Sequence, residues 1–121
     1  MGDGYKLDPP FTLSCPECSG TMHRTATGTM VQYRCHIGHI LTGAAMLEAQ
    51  ANVLEMRLGS VLSLLNERAE LCRQLSEGVM AQGQDPATLE AARKEALQRA
   101  ETIRALLESD WAQPDPKLGL F

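Results

Sequence analysis

Cys15-Pro16-Glu17-Cys18, then sixteen residues, then Cys35-His36-Ile37-Gly38-His39: this stretch decides how the chain is read. It holds three of the four cysteines and all three histidines, two of them beside the third cysteine. The spacing C-x2-C-x16-C-x3-H is that of two short knuckles at the ends of a hairpin, closing four ligands around one tetrahedral zinc ion. Cys15, Cys18 and Cys35 are three candidate ligands. The fourth is a choice between His36 and His39. His36 is adjacent to Cys35, so its side chain points away from that ligand's direction. His39 follows Ile37-Gly38 and completes a second knuckle, and Gly38 permits the positive φ such a turn needs; the spacing favours His39. Three unrelated buried thiols, or a C-x2-C redox pair, are the competing readings. The redox pair lacks the strand-to-helix setting of a thioredoxin motif.

Working outward, the segments on either side of the knuckles differ in kind. Residues 1–11 read as an extended leader ending in Pro9-Pro10-Phe11. Residues 12–41 read as the zinc ribbon. Its strands are Thr21–Ala26 and Thr29–Arg34, rich in Thr, Val and Tyr, with Thr27-Gly28 as the turn between them. Arg24 and Arg34 are candidates for a small binding face on it. Glu17 sits between two ligands; a catalytic base is one reading, and a solvated knuckle residue is the favoured one.

Residues 42–109 read as an α-helical hairpin. Thr42 is the expected N-cap of a first helix over about 43–77. Leu47, Ala51, Leu54, Leu58, Val61, Leu65, Cys72 and Leu75 recur at alternating three- and four-residue steps, interrupted at Arg68. Leu62, Leu64, Ala69 and Leu71 widen that face. Two glycines break the chain over 78–84. Asp85-Pro86 restarts it as an N-cap followed by proline at the first helical position, and a second helix runs over 86–109. The short connection implies that the two helices are antiparallel neighbours. Residues 110–121 read as an extended tail. The expected fold is therefore small α+β and mostly α: a zinc ribbon followed by a long antiparallel helical hairpin.

Composition narrows the function. The net charge of −4 and pI near 5.3 suit nucleic acid poorly, because non-specific affinity for it needs a basic face. Clustered rather than spread cysteines argue against a disulfide scaffold. No run approaches the ~20 apolar residues of a membrane span, and no secretory h-region follows Met1. A reducing cytoplasm is the expected compartment. With four protein ligands the metal keeps no open position for a substrate, so it is read as structural. No Ser/His/Asp set or phosphate-cradling loop appears, and no enzyme is expected.

Cys15-Pro-Glu-Cys18-Ser-Gly20, Tyr33-Arg-Cys35-His-Ile-Gly-His39, Leu47-Glu-Ala-Gln50 and Leu65-Asn-Glu-Arg-Ala69 together resemble the C-terminal extension of bacterial chemotaxis methylesterase-like (CheB-type) proteins. The resemblance covers roughly Phe11 to Ser109. It implies a CPEC-G ribbon, an RC-x-[VI]-GH knuckle and a helical pair, with Cys15, Cys18, Cys35 and His39 as the ligand set. At the position of His36 it accepts Arg as well. The methylesterase domain with its catalytic Ser, His and Asp is absent, so that activity does not carry over. Met22 and Val61 stand where the family pattern has an aromatic residue and a Trp. Met1 and the tail favour a free-standing version of the module.

The resemblance implies a non-enzymatic regulatory or adaptor module of chemosensory or two-component signalling, acting through protein partners. The rivals are a transcription-associated zinc ribbon that contacts nucleic acid or polymerase, and a thiol redox or zinc sensor. The first helix carries more apolar positions than the second can cover, so a homodimer through the helices, or a docked partner, is the expected cover. The opposing expectation is a monomer whose ribbon or tail folds back over them.

Overall fold

The computed structural model describes residues 5, 7–77 and 85–112. The expected loop over 78–84 and the tail beyond 112 lie outside the described residues, as do residues 1–4 and 6 of the leader. The element order is β1 (Met22–Thr27), β2 (Met30–Cys35), β3 (Ile40–Thr42), α1 (Gly43–Glu77) and α2 (Pro86–Glu108). The protein is thus small α+β, a three-stranded antiparallel sheet followed by a helical hairpin. It divides into two compact units, with the division inside α1 between Ala51 and Asn52.

In the first unit, β1 and β2 form an antiparallel hairpin in which Thr27 faces Met30 and Met22 faces Cys35. The two-residue connection is Gly28-Thr29, one position later than Thr27-Gly28. Gly28 has φ 63° and is the turn's only positive-φ residue. Positive φ at the first central position alone is the type II′ pattern, which matches the twist of the strands it joins. That demand for glycine at the first central position sets the register.

The sheet has a third strand beyond the expected two. After the second knuckle the chain reverses, Cys35 N–H donates to His39 O (3.1 Å), and β3 lies antiparallel to β2 with Arg34 opposite Ile40. The local signal was Ile40-Leu41-Thr42, three strand-favouring residues directly before the helix cap.

The core of this unit is Cys15, Met22, Cys35 and Met46, all buried, with Leu13, Cys18, Tyr33 and Leu41 packed against it. Two of its four buried residues are cysteines, so apolar burial alone stabilises it little. Met46, in the first turn of α1, is the helical contribution. Thr42 fixes where that turn begins: its Oγ1 accepts from Ala45 N–H at 3.1 Å and satisfies one orphan donor of the helix.

In the second unit the helices pack through a narrow stripe. Ala69 and Cys72 are buried on α1, and Leu89, Ala96 and Ala100 on α2. Leu58, Leu62 and Leu65 extend the stripe and are half-buried. Two of the three buried residues of α2 are alanines, which gives it little reach. The single heptad row expected on α1 is consequently split: Leu54, Val61, Leu64, Leu71 and Leu75 remain exposed. Cys72 behaves as a small buried hydrophobe. Asp85 caps α2, accepting from Ala87 N–H (3.4 Å) and from Thr88 Oγ1 (3.2 Å), and Pro86 follows as the first helical residue. No described helix is long and apolar enough to cross a membrane.

Substitutions at the cap of α1 and within it should move stability in opposite directions. Thr42→Ala removes the cap and should cost about 1 kcal/mol, while Thr42→Ser keeps it. Gly59 is mid-helix, and a Cβ there meets nothing within 4 Å. Gly59→Ala should therefore stabilise by up to about 1 kcal/mol. Urea unfolding of the three variants, each compared with the parent chain, checks both signs.

Candidate metal centre

The two knuckles are built differently. In the first, Ser19 N–H donates to Cys15 O and Cys15 N–H to Gly20 O, both at 2.7 Å. The turn closes through Ser19 at φ 64°, an uncommon left-handed conformation for a residue other than glycine. Gly20 follows because space is short: a Cβ there would lie 3.3 Å from Cys18 Sγ and 3.4 Å from His36 Cε1. Its N–H points at Cys18 Sγ (3.4 Å). In the second knuckle Gly38 N–H donates to Cys35 O (3.1 Å) with φ 113°, a conformation a side chain rarely adopts.

These turns bring four donor atoms together. The sulfurs of Cys15, Cys18 and Cys35 and a ring nitrogen of His39 all lie within 4.8 Å of one another. Cys18 Sγ is 3.7 Å from Cys35 Sγ, and His39 Nδ1 is 3.6 Å from Cys15 Sγ and 3.3 Å from Cys35 Sγ. A tetrahedral zinc with Zn–S near 2.3 Å and Zn–N near 2.0 Å would set these edges at about 3.8 and 3.5 Å. The group can hold a metal ion, and these three edges are near those of a tetrahedral one.

His36 does not join the four. It is exposed, with its ring beside Gly20 on the outside of the first knuckle. His23 is exposed on β1.

Glu17 has a role that its sequence position only hinted at. Its Oε2 lies 3.2 Å from His39 Nε2. With Nδ1 turned to the sulfurs, the Nε2–H donates to Glu17, so the carboxylate fixes both tautomer and ring orientation. Carboxylate partners of metal-ligating histidines do the same. The solvated-residue reading of Glu17 missed this because nothing in its local spacing shows how far His39 lies across the hairpin.

The thiols are unequal. Burial would raise the Cys35 thiol, but the backbone amides of His39, Ile37 and Gly38 outweigh it, and the group is lowered to about 6. For Cys18 the Gly20 amide pulls downward, yet burial and the neighbouring Cys15 and Cys35 sulfurs prevail and raise it. The Cys35 sulfur is thus shifted toward the thiolate, the form that binds metal.

The pair read as a binding face, Arg24 and Arg34, is divided by the pleat. Arg24 stands opposite Tyr33 and Arg34 opposite His23, so neighbouring positions send the two arginines to opposite faces of the sheet. Arg24 instead flanks a shallow apolar groove of about 320 Å³ lined also by Leu13, Tyr33 and Met46.

The chain matches no protein-family model, no curated protein and no solved structure.

Glu17→Gln should weaken metal binding by about tenfold to a hundredfold without abolishing it. His39→Ala and Cys35→Ser should abolish it, and His36→Ala should leave it intact. Competition titration against a chromophoric zinc chelator ranks the four variants. Loss of metal in His36→Ala with retention in His39→Ala would reverse the assignment.

Proposed function

We propose that this chain is a non-enzymatic zinc-binding module in which a metal-closed ribbon anchors a helical hairpin that docks signalling proteins. The observation that carries the reading is the closed donor set. Four protein donors lie within 4.8 Å of one another, enough to complete a tetrahedral set around one ion with no position left for water or substrate. Zinc is the metal of choice because three thiolates and one imidazole in tetrahedral array suit it. The ligands are Cys15, Cys18, Cys35 and His39, with Glu17 behind His39.

Two features support a docking role. The first turn of α1 contributes Met46 to the ribbon core, so the metal site fixes where the helix starts. The exposed Leu54, Val61, Leu64, Leu71 and Leu75 then lie on an ordered helix rather than singly on loops. The setting in bacterial chemosensory or two-component signalling, and with it a cytoplasmic location, rests on the resemblance of the two knuckles to CheB-type extensions. The nucleic-acid reading is weakened by a net charge of −4 and by the division of Arg24 from Arg34. The redox-sensor reading is weakened by the burial of Cys15 and Cys35, since oxidation follows exposure.

Affinity capture from a bacterial lysate tests the proposal. The zinc-loaded chain should retain chemosensory or two-component proteins that a Cys15→Ser control does not. Sub-micromolar binding to DNA at physiological salt, falling steeply as salt rises, would replace this reading with the transcription one. Methylesterase turnover abolished by a point mutation in the chain would overturn the non-enzymatic assignment.

A further inference from the structure

We infer that α1 carries a second coiled-coil seam whose occupant is an acidic amphipathic helix of a partner protein. The inference rests on the docking reading above and specifies the partner's chemistry. From Leu54 to Leu75 a row of positions advances in steps of three and four residues: 54, 57, 61, 64, 68, 71, 75. This is the spacing of an a/d seam over about three heptads. It is distinct from the stripe centred on Leu65, Ala69 and Cys72 that faces α2. Its five aliphatic members are all exposed, from 40% at Leu75 to 64% at Leu64.

The remaining two positions hold Arg57 and Arg68, both exposed. Their surroundings set them apart from every other arginine on the two helices. Arg73 is paired with Glu70 and Glu77, Arg93 with Glu90, Arg99 with Glu95, and Arg104 with Glu101 and Glu108. All are pairs three or four residues apart within one helix. Neither Arg57 nor Arg68 has a glutamate or aspartate at such a distance in sequence, and neither has a carboxylate within 4.0 Å among the described residues. None of the glutamates of α1 occupies a seam position. The row is therefore aliphatic with two positive charges and no negative one.

Those charges select the occupant. A parallel second copy would set Arg57 on Arg57 and Arg68 on Arg68. The antiparallel register that best overlaps the aliphatics, Leu54 opposite Leu71 and Val61 opposite Leu64, sets Arg57 opposite Arg68. Either way like charges enter a desolvated seam with no compensating acid, a strong penalty against self-pairing. A foreign helix avoids it by offering apolar residues along its own seam and carboxylates opposite the two arginines. Arg57 and Arg68 are eleven positions apart, itself a heptad-compatible step. At 1.5 Å per residue they lie about 16 Å apart along the axis. The partner's two acidic seam residues must match that spacing, so the arginines fix its register as well as its charge.

The test uses the zinc-loaded full chain and two synthetic helical peptides of equal length with leucine along the seam. One carries glutamate, the other lysine, at two seam positions eleven residues apart. Isothermal titration should show the glutamate peptide bound in preference to the lysine peptide. The double variant Arg57→Glu/Arg68→Glu should lose at least about tenfold in affinity for the glutamate peptide and reverse the preference. Both substitutions are on exposed residues, and circular dichroism should show an unchanged fold. Three results would each overturn the inference: no preference for the glutamate peptide, a homodimer in sedimentation dispersed by Leu64→Asp, or docking on anionic phospholipid vesicles that the double variant abolishes. None of these removes the docking reading, which fails instead when lysate capture returns no signalling protein.

Discussion

Convergence of three sulfurs and one imidazole nitrogen is the constraint on which the ribbon depends. Cys15 and Cys35 are both donors and half of the buried core. A core that small does not offset the entropy of ordering about thirty residues, a cost of about 1–2 kcal/mol per residue for the backbone alone. A metal ion held by the four donors would supply the difference, as in small zinc domains whose binding free energy is their folding free energy. Every local device in the ribbon serves that convergence: the left-handed Ser19, the glycine at 20 where a Cβ would be crowded, the positive φ of Gly38, and the backbone amides that draw the Cys35 thiol down to about 6. By favouring the thiolate, those amides lower the proton-release cost that metal binding would carry.

What the ribbon secures is the beginning of α1. Met46 enters the ribbon core and Thr42 caps the helix three residues before its bonded amide. The helix then has two apolar rows and one intramolecular partner. The buried positions of α2 are Leu89, Ala96 and Ala100, so the face it offers is narrow. The uncovered row is thus a consequence of the alanines on α2, and its two arginines give it a preference among occupants.

Much of this was legible from residue types and spacing. The C-x2-C-x16-C-x3-H pattern placed the cluster, because few other arrangements of three cysteines and a histidine occur at that spacing. Asp85-Pro86 marked the start of α2 because a capping side chain and a preset φ act locally. Less accessible were features that depend on how far the chain reaches across space. Glu17 meets His39 only once the hairpin has closed. The strand Ile40–Thr42 exists because the second knuckle turns the chain back along β2. Arg24 and Arg34 looked like one basic face until the register put them on opposite sides of the sheet. The heptad row on α1 blended two stripes, since positions 58, 61, 62 and 65 all satisfy the same periodicity and only the width of α2 decides which are covered.

The central claim is that one metal ion closes Cys15, Cys18, Cys35 and His39 and thereby folds the ribbon. Titrating the chelated chain with cobalt, read by optical absorption and by amide NMR, tests it most directly. The account predicts saturation at one equivalent, with thiolate-to-cobalt charge transfer, the intense visible bands of tetrahedral coordination, and the simultaneous appearance of dispersed amide signals from residues 12–42. A metal-free chain whose ribbon amides are already dispersed, and which takes up no cobalt, would contradict it.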